Sequence, residues 1–446
     1  MQKATWDSIV GSKGKGAILL KIAIKNADVL FWEPSCHTRR EDLFIADGVI
    51  TATGAKDNEF TADLEIDGSG KLVIPGLVNC HTHAYMSVFR NYADDLPFDE
   101  WLFRKIMPVE DALTAEDAYW CNLLSCLEMI KTGTTCFADM HMFKNQSVRA
   151  AAESGLRAVI SRGLVGKTID DPAAKSRLAD AFEEMETAAG NSRISFMLGP
   201  HAIYSCGREL LRALPEIAKK KGIGLHIHLA ESMFEFDTSM QQNGCSPAAY
   251  LDSLGFFEAP VLAAHCVNLT DDDIKILAKH GVSVVTNPVS NMKLGNGFAP
   301  VTRLLGAGVN VCVGTDGASS NNALNMFREL SILSYIHKGL EKDVLNLSAG
   351  QTLRCGILNG ARALGLGDIT GSIQTGKRAD LVLVDLNKSW LQPVNNPVSS
   401  LIYSANGTEP DTVIIDGEVV MEKGQVKTLD EQRILFEVNK IRKRLI

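Results

Sequence analysis

Eight short apolar runs alternate with helix-like stretches along this chain, and several of the runs end on a histidine or an acid. The runs are LVIPGLVN, TTCFADMH, RAVISRGL, ISFMLGPH, GLHIHLAE, VLAAHCV, SVVTNPVS and VNVCVGTD. Between them lie stretches such as AEDAYWCNLLSCLEMIKTG, ELLRALPEIAKKKG and DDDIKILAKHG, several of which stop at Lys-Gly or His-Gly, a helix terminator. Eight strand–helix units predict an α/β architecture, the (β/α)8 TIM-type barrel, whose active site forms where the strands end. His81, His83, His228, Glu231, His265 and Asp316 all fall at or just past such ends.

The flanks have a different period. Residues 17–72 contain AILLKIAIKNADVLF, LFIADGVITATG and DLEIDGSGKLVI, broken by DG and GSG turns, and similar runs return in ADLVLVDL and DTVIIDGEVVMEKGQV. This is sheet chemistry. The expected organisation is a flexible extension over 1–16, a first β-sandwich part over 17–72, the barrel over 73–376, and a second sandwich part with a C-terminal helix over 377–446. A 446-residue chain with 46% hydrophobic residues fills a sizeable core. The formal charge of −8 argues against a nucleic-acid partner, which calls for a basic stripe. The basic end KIRKRL reads as a solvated helix face. No apolar run approaches the roughly 20 residues that span a bilayer. Ten cysteines without regular pairing spacings point to reduced thiols and the cytoplasm. Cys80 and Cys266, beside site residues, read as packing groups.

A divalent ion such as zinc takes imidazole nitrogens and a carboxylate and leaves a position for water. His81 and His83, two apart on a strand, share a face and can grip one ion together. His226 and His228 have the same relation, so spacing alone leaves their roles interchangeable. The expected site holds a divalent ion, zinc, iron or manganese, on His81, His83, one of His226 and His228, and Asp316. Such an ion lowers the pKa of water towards 7. Glu231, three residues past His228, is the expected proton carrier. His265 is expected to stay off the ion, or bind it only weakly, and to hydrogen-bond the attacking oxygen.

The stretches PGLVNCHTHAYMSVFRNYADDLPFDEWL, MPVEDALT, GPHAIYSC, HLAES, AHCVNLTDDDI, NPVSNMKLGNGFAPV and VGTDGASSNNALNMFREL run in order from about residue 75 to 330. In them the chain resembles the amidohydrolase superfamily, and within it the 5'-methylthioadenosine and S-adenosylhomocysteine deaminases, a branch related to the triazine chlorohydrolases. The resemblance implies hydrolytic deamination at C6 of an adenine nucleoside with a 5' thioether. The alternative is deamination or dechlorination of another nitrogen heterocycle: guanine, cytosine or a triazine. A non-catalytic scaffold is disfavoured because all six chemical positions are intact.

The same resemblance favours His228 over His226 and supplies the outer site. Glu110 resembles the glutamate that grips the ribose hydroxyls, and His201 the histidine that touches the purine. Arg162, and Arg177 in the loop after it, match positions that hold a substrate carboxylate, with a solvated loop charge as the alternative for Arg177. Trp101 and Phe98 are expected to cover the purine or thioether, or to pack in the core. His141 is expected in the pocket wall, and His37, His280 and His337 outside the site. The run MLGPHA lacks the lysine that dinuclear relatives carry, which implies one metal. The remaining expectations are a small nucleoside substrate, no membrane, and a homo-oligomer, dimer or tetramer.

Overall fold

The computed structural model describes residues 20–54, 60–97 and 100–446. The expected extension over 1–16 and Phe98 lie outside the described residues. Eight parallel strands pair in chain order: β6 (Leu77–Thr82), β7 (Thr134–His141), β8 (Arg157–Leu164), β9 (Ile194–Pro200), β10 (Gly224–Leu229), β11 (Val261–His265), β12 (Ser283–Thr286) and β13 (Asn310–Val313). The ring nearly closes where the segment after β13 meets β6. There the Asp316 N–H donates to the His81 carbonyl at 2.9 Å, and the Thr315 N–H donates to Asn79 Oδ1 at 3.0 Å. Gly314 permits this approach, since a Cβ there would stand 2.8 Å from the His81 nitrogen. Val78, Cys80, Cys136, Val159, Met197, Leu262, Val285 and Cys312 fill the barrel, and Ala361, Leu364 and Leu366 plug its lower end.

The outer helices begin and end on local signals. Thr114 and Thr270 make reciprocal capping boxes at Ala115–Lys131 and Asp271–Lys279, and the left-handed Gly222 ends Arg208–Lys221. Leu210, Leu211, Leu214 and Ala218 form the buried stripe of the last of these, at the three-to-four-residue spacing of a helix face.

Both flanks join one nine-stranded sheet. It is built from β1 (Ile22–Phe31), β2 (His37–Ala46), β3 (Val49–Thr53), β4 (Leu64–Asp67), β5 (Lys71–Pro75), β14 (Leu381–Asp385), β15 (Pro410–Ile415), β16 (Glu418–Glu422) and β17 (Gln425–Val426). The antiparallel pairing of β14 with β5 links the two halves. One face of the sheet gathers Ile22, Ile24, Val29, Leu43, Ile45, Val73, Leu381, Leu383 and Ile414 into a core of its own. The alternating residues Leu30, Leu72, Ile74, Val382, Val384, Val413 and Ile415 join the barrel's core. The run LVIPGLVN, expected as one barrel strand, is therefore two: β5 belongs to the flanking sheet and β6 to the barrel. The chain crosses between them at Gly76, where a Cβ would strike Thr135 Oγ1 at 1.9 Å. At the barrel's lower rim the buried Arg157 pairs with Asp380 at 2.7 Å and Asp416 at 3.4 Å, both from the C-terminal half of the chain.

Candidate active site

The register of β6 against β7 slips between Asn79 and Thr82, and His81 and Cys80 both turn into the barrel. Cys80 packs there, and burial raises its thiol well above the ordinary range. His81 sits at the head of a chain of hydrogen bonds that fixes its proton. The Ser161 hydroxyl donates to the Asp139 carbonyl at 3.0 Å, so its oxygen accepts from His226 Nδ1–H at 2.9 Å. His226 Nε2 must then accept from His81 Nδ1–H at 2.8 Å, leaving the His81 lone pair on Nε2. That nitrogen is buried and has no hydrogen-bond partner among the described residues. His226 thus lies one step deeper than His81, and burial, then the charge of His81, holds its pKa well below the ordinary value.

The next two imidazoles are set in the same way. His83 donates from Nδ1 to the Met140 carbonyl at 2.7 Å, and His228 donates from Nδ1 to the His201 carbonyl at 2.8 Å. Their Nε2 atoms face each other at 3.2 Å with lone pairs converging. Asp316 Oδ1 stands 3.4 Å from His81 Nε2 and 3.5 Å from His83 Nε2. Its other oxygen accepts from the hydroxyls of Ser290 at 2.7 Å and Ser320 at 2.8 Å. Burial opposes the Asp316 charge, but His81, His265 and His83 outweigh it and hold the carboxyl well below the usual range.

The donor set asks for a cation. The ligand-capable atoms of His81, His83 and His228 lie within 4.8 Å of one another, as do those of His81, His265 and Asp316. Three imidazole lone pairs and a carboxylate oxygen, each oriented by a bond on its far side, fit a divalent ion of nitrogen–oxygen preference.

Glu231 and His265 face this centre from the ends of β10 and β11. Both lie at left-handed turns, with φ of +50° at Ala230 and +71° at His265. His265 donates from Nδ1 to Asn291 Oδ1 at 2.8 Å, and its Nε2 stands 3.8 Å from Glu231 Oε2. Burial works against the His265 charge, yet Glu231 and Asp316 raise its pKa. Burial raises the Glu231 carboxyl, His265 pulling the other way. Asn296 donates to Glu231 Oε1 at 3.0 Å, and the Glu231 N–H donates to Glu235 Oε2 at 3.0 Å. Glu235, in the first turn of the helix Met233–Asn243, is pushed up to about 7 by burial.

The outer residues spread around this centre. His201 Nδ1 lies 2.9 Å from the Ser205 hydroxyl, and burial, then His83, lowers its pKa to about 4, so the ring is neutral at pH 7. Glu110 accepts from the Tyr85 hydroxyl, and burial raises its pKa. Arg162, at the end of β8, reaches the His141 carbonyl at 3.4 Å and Asp180 at 3.5 Å. Arg177 is not in a loop: it lies in the helix Pro172–Thr187, which Asp171 caps and Pro172 opens, and it donates to the Gly163 carbonyl at 3.0 Å. Trp101 is buried in a cluster with Tyr85, Met86 and Phe89. His141 is buried and paired with Glu184 at 3.2 Å. His280 pairs with Asp252 and His337 with Glu341, both away from this centre, and His37 lies on β2.

Tyr85, Ser161, Ser290, Asn291, Asn296, Ser320 and Glu235 were not singled out by sequence. Four of them lie in NPVSNMKLGNG and GTDGASSNN, whose small polar residues just past strand ends are the available signal. A cavity of about 510 Å³ lined by Ser283, Asn310, Gln351, Arg354 and Arg362 lies by the starts of β12 and β13, remote from these side chains.

Residues 72–420 match the amidohydrolase family. The chain is 43% identical to a 5-methylthioadenosine/S-adenosylhomocysteine deaminase of Caldanaerobacter subterraneus subsp. tengcongensis over 96% of its own length and 99% of that protein. It is 44% identical to a 5'-deoxyadenosine deaminase of Methanosarcina mazei, covering 95% and 98%. Among solved structures, an adenosine deaminase of Xanthomonas campestris with bound zinc superposes with a TM-score of 0.91 at 33% identity, covering 95% and 98%.

Proposed function

The chain belongs to the amidohydrolase family, and from that premise we propose that it deaminates adenine nucleosides carrying a 5' thioether, S-adenosylhomocysteine and 5'-methylthioadenosine first, with 5'-deoxyadenosine and adenosine as further substrates. The protein is a hydrolytic aminohydrolase that takes a divalent metal ion. Zinc, one per subunit, is the proposed identity, supported by the zinc in the Xanthomonas relative. The observation that carries the proposal is the convergence of oriented imidazoles on Asp316, with Glu231 and His265 beside them.

His81, His83, His228 and Asp316 would hold the ion, which supplies the charge that lets water ionise near neutral pH. Asp316, kept anionic by its neighbours, accepts a hydrogen bond from the attacking water and turns its lone pair towards purine C6. Glu231 takes a proton from that water and passes it first to a ring nitrogen and then to the leaving amine. His265 hydrogen-bonds the attacking oxygen as negative charge develops. His201 contacts the purine, and Trp101 covers the purine or the thioether. Glu110 accepts from the ribose hydroxyls, and Arg162 and Arg177 receive a substrate carboxylate through their forked donors. The products are ammonia and the inosine analogue.

Ten free thiols support a reducing compartment, the cytoplasm. No helix of the described residues is long and apolar enough to cross a membrane. A homo-oligomer, dimer or tetramer, is the proposed assembly.

Replacing Glu231 with Gln tests the chemistry. Glu231→Gln is expected to retain the bound metal and lose roughly 10²–10⁴-fold in kcat for ammonia release from methylthioadenosine. A variant of full metal content and full rate would remove Glu231 from the proton path.

A further inference from the structure

The outer site holds two guanidinium groups side by side and one acid that is not committed to either. Arg162 is only 8% exposed, yet its Nε has no hydrogen-bond partner among the described residues, and its two contacts are long, 3.4 Å to the His141 carbonyl and 3.5 Å to Asp180. Burial, then the charge of Arg162, lowers the pKa of Arg177, as expected of neighbouring like charges. Glu110 acts on Arg177 from outside, and the other acids beside the pair lie on the helix Pro172–Thr187. Arg177, Asp180 and Glu184, at positions i, i+3 and i+7, share one face of it. Glu184 is already used: its carboxylate pairs with the buried His141 and accepts the Asn145 N–H at 2.5 Å. Asp180 is divided. One oxygen faces Arg162, and the other stands 3.1 Å from Lys144 Nζ, which also reaches Glu183 at 2.7 Å.

We propose that Asp180 is a built-in competitor for Arg162, setting selectivity between nucleosides that end in a charged amino-acid tail and those that end in an uncharged alkyl group. The proposal rests on the deaminase function above and on Arg162 as the carboxylate receiver. With an uncharged 5' substituent, Asp180 stays at Arg162 and keeps a buried cation from standing unpaired, which is costly. A substrate carboxylate offers a two-pronged contact and displaces Asp180, which Lys144 then holds. The His141–Glu184 pair anchors the end of β7, so the carbonyl side of Arg162 stays fixed while the acid side moves.

The test is the ratio of kcat/KM for S-adenosylhomocysteine to that for methylthioadenosine, which share the nucleoside and the thioether. Asp180→Asn removes the competitor, and the ratio is expected to rise roughly three- to tenfold, through the KM of S-adenosylhomocysteine, as for a partly screened charge pair. Lys144→Met removes the alternative partner, and the ratio is expected to fall. An unmoved ratio in both variants would overturn the proposal and leave Asp180 a solvated helix charge. A ratio that falls in Asp180→Asn would overturn it in favour of Asp180 receiving the substrate ammonium. Wild-type protein silent on both nucleosides would instead defeat the deaminase function itself, an outcome separate from these.

Discussion

At the scale of single residues, the site is governed by where protons sit. Among the described residues Ser161 makes no hydrogen bond to the proposed ion-holding set, yet its hydroxyl fixes the direction of every bond from the Asp139 carbonyl through His226 to His81. Without it His226 is free to place its proton on the side facing His81, and the His81 lone pair loses its assignment. Ser161→Ala is therefore expected to weaken metal binding about 10- to 100-fold, the usual consequence of losing a group that orients a ligand. Competition of the folded protein with a metal-binding dye reads this directly, and unchanged affinity would show that the chain of bonds does not orient His81. The convergence of the six proposed chemical residues was legible because each closes or follows an apolar strand. Ser161 was not, because its importance is a direction of hydrogen bonding between strands, which has no sequence period.

At the scale of elements, two segments organise the centre. The stretch from Asn287 to Asn296 orients Asp316 through Ser290, His265 through Asn291 and Glu231 through Asn296. Glu329, buried and pushed up to about 8 by burial, holds this stretch by accepting the Val289 N–H at 3.1 Å. The second segment is the helix Pro172–Thr187, clamped to β7 by His141 and Glu184. Burial opposes charge on both partners, but each outweighs that penalty for the other: the His141 pKa is raised and that of Glu184 lowered. The histidine contributes stability that is fully present below its ordinary 6.5 and lost as pH rises through its raised value. The glutamate contributes stability present above its ordinary 4.5 and lost as pH falls through its lowered value. Glu184→Gln is therefore expected to cost most stability between these two ordinary values and progressively less on either side. Urea midpoints of wild type and variant across pH check this, and a constant difference would mean that the pair is not ionised. This helix also marks a limit of sequence: Asp171-Pro172 is a helix-start signal, yet the polarity of the run around it favours a loop for Arg177 as strongly as a helix.

At the scale of the whole molecule, two sheets of one chain meet across a common core. The alternation of side chains lets the flanking sheet bury one face in its own core and the other against the barrel, and the Arg157 pairing with Asp380 and Asp416 fastens the same contact with charge. The barrel was legible from its eight runs. The crossing inside LVIPGLVN was not, because both sheets ask for the same apolar residues there and the change is marked locally by no more than the Pro75-Gly76 pair. What the whole arrangement is for is tested most directly by ammonia release, followed with the adenine-to-hypoxanthine absorbance change. Metal-loaded protein would be given S-adenosylhomocysteine, methylthioadenosine, 5'-deoxyadenosine, adenosine, guanine and a chlorotriazine. Turnover of the adenine nucleosides, with the 5'-thioethers having the highest kcat/KM, is the predicted result; silence on every adenosine, with turnover of guanine or the triazine, would contradict it.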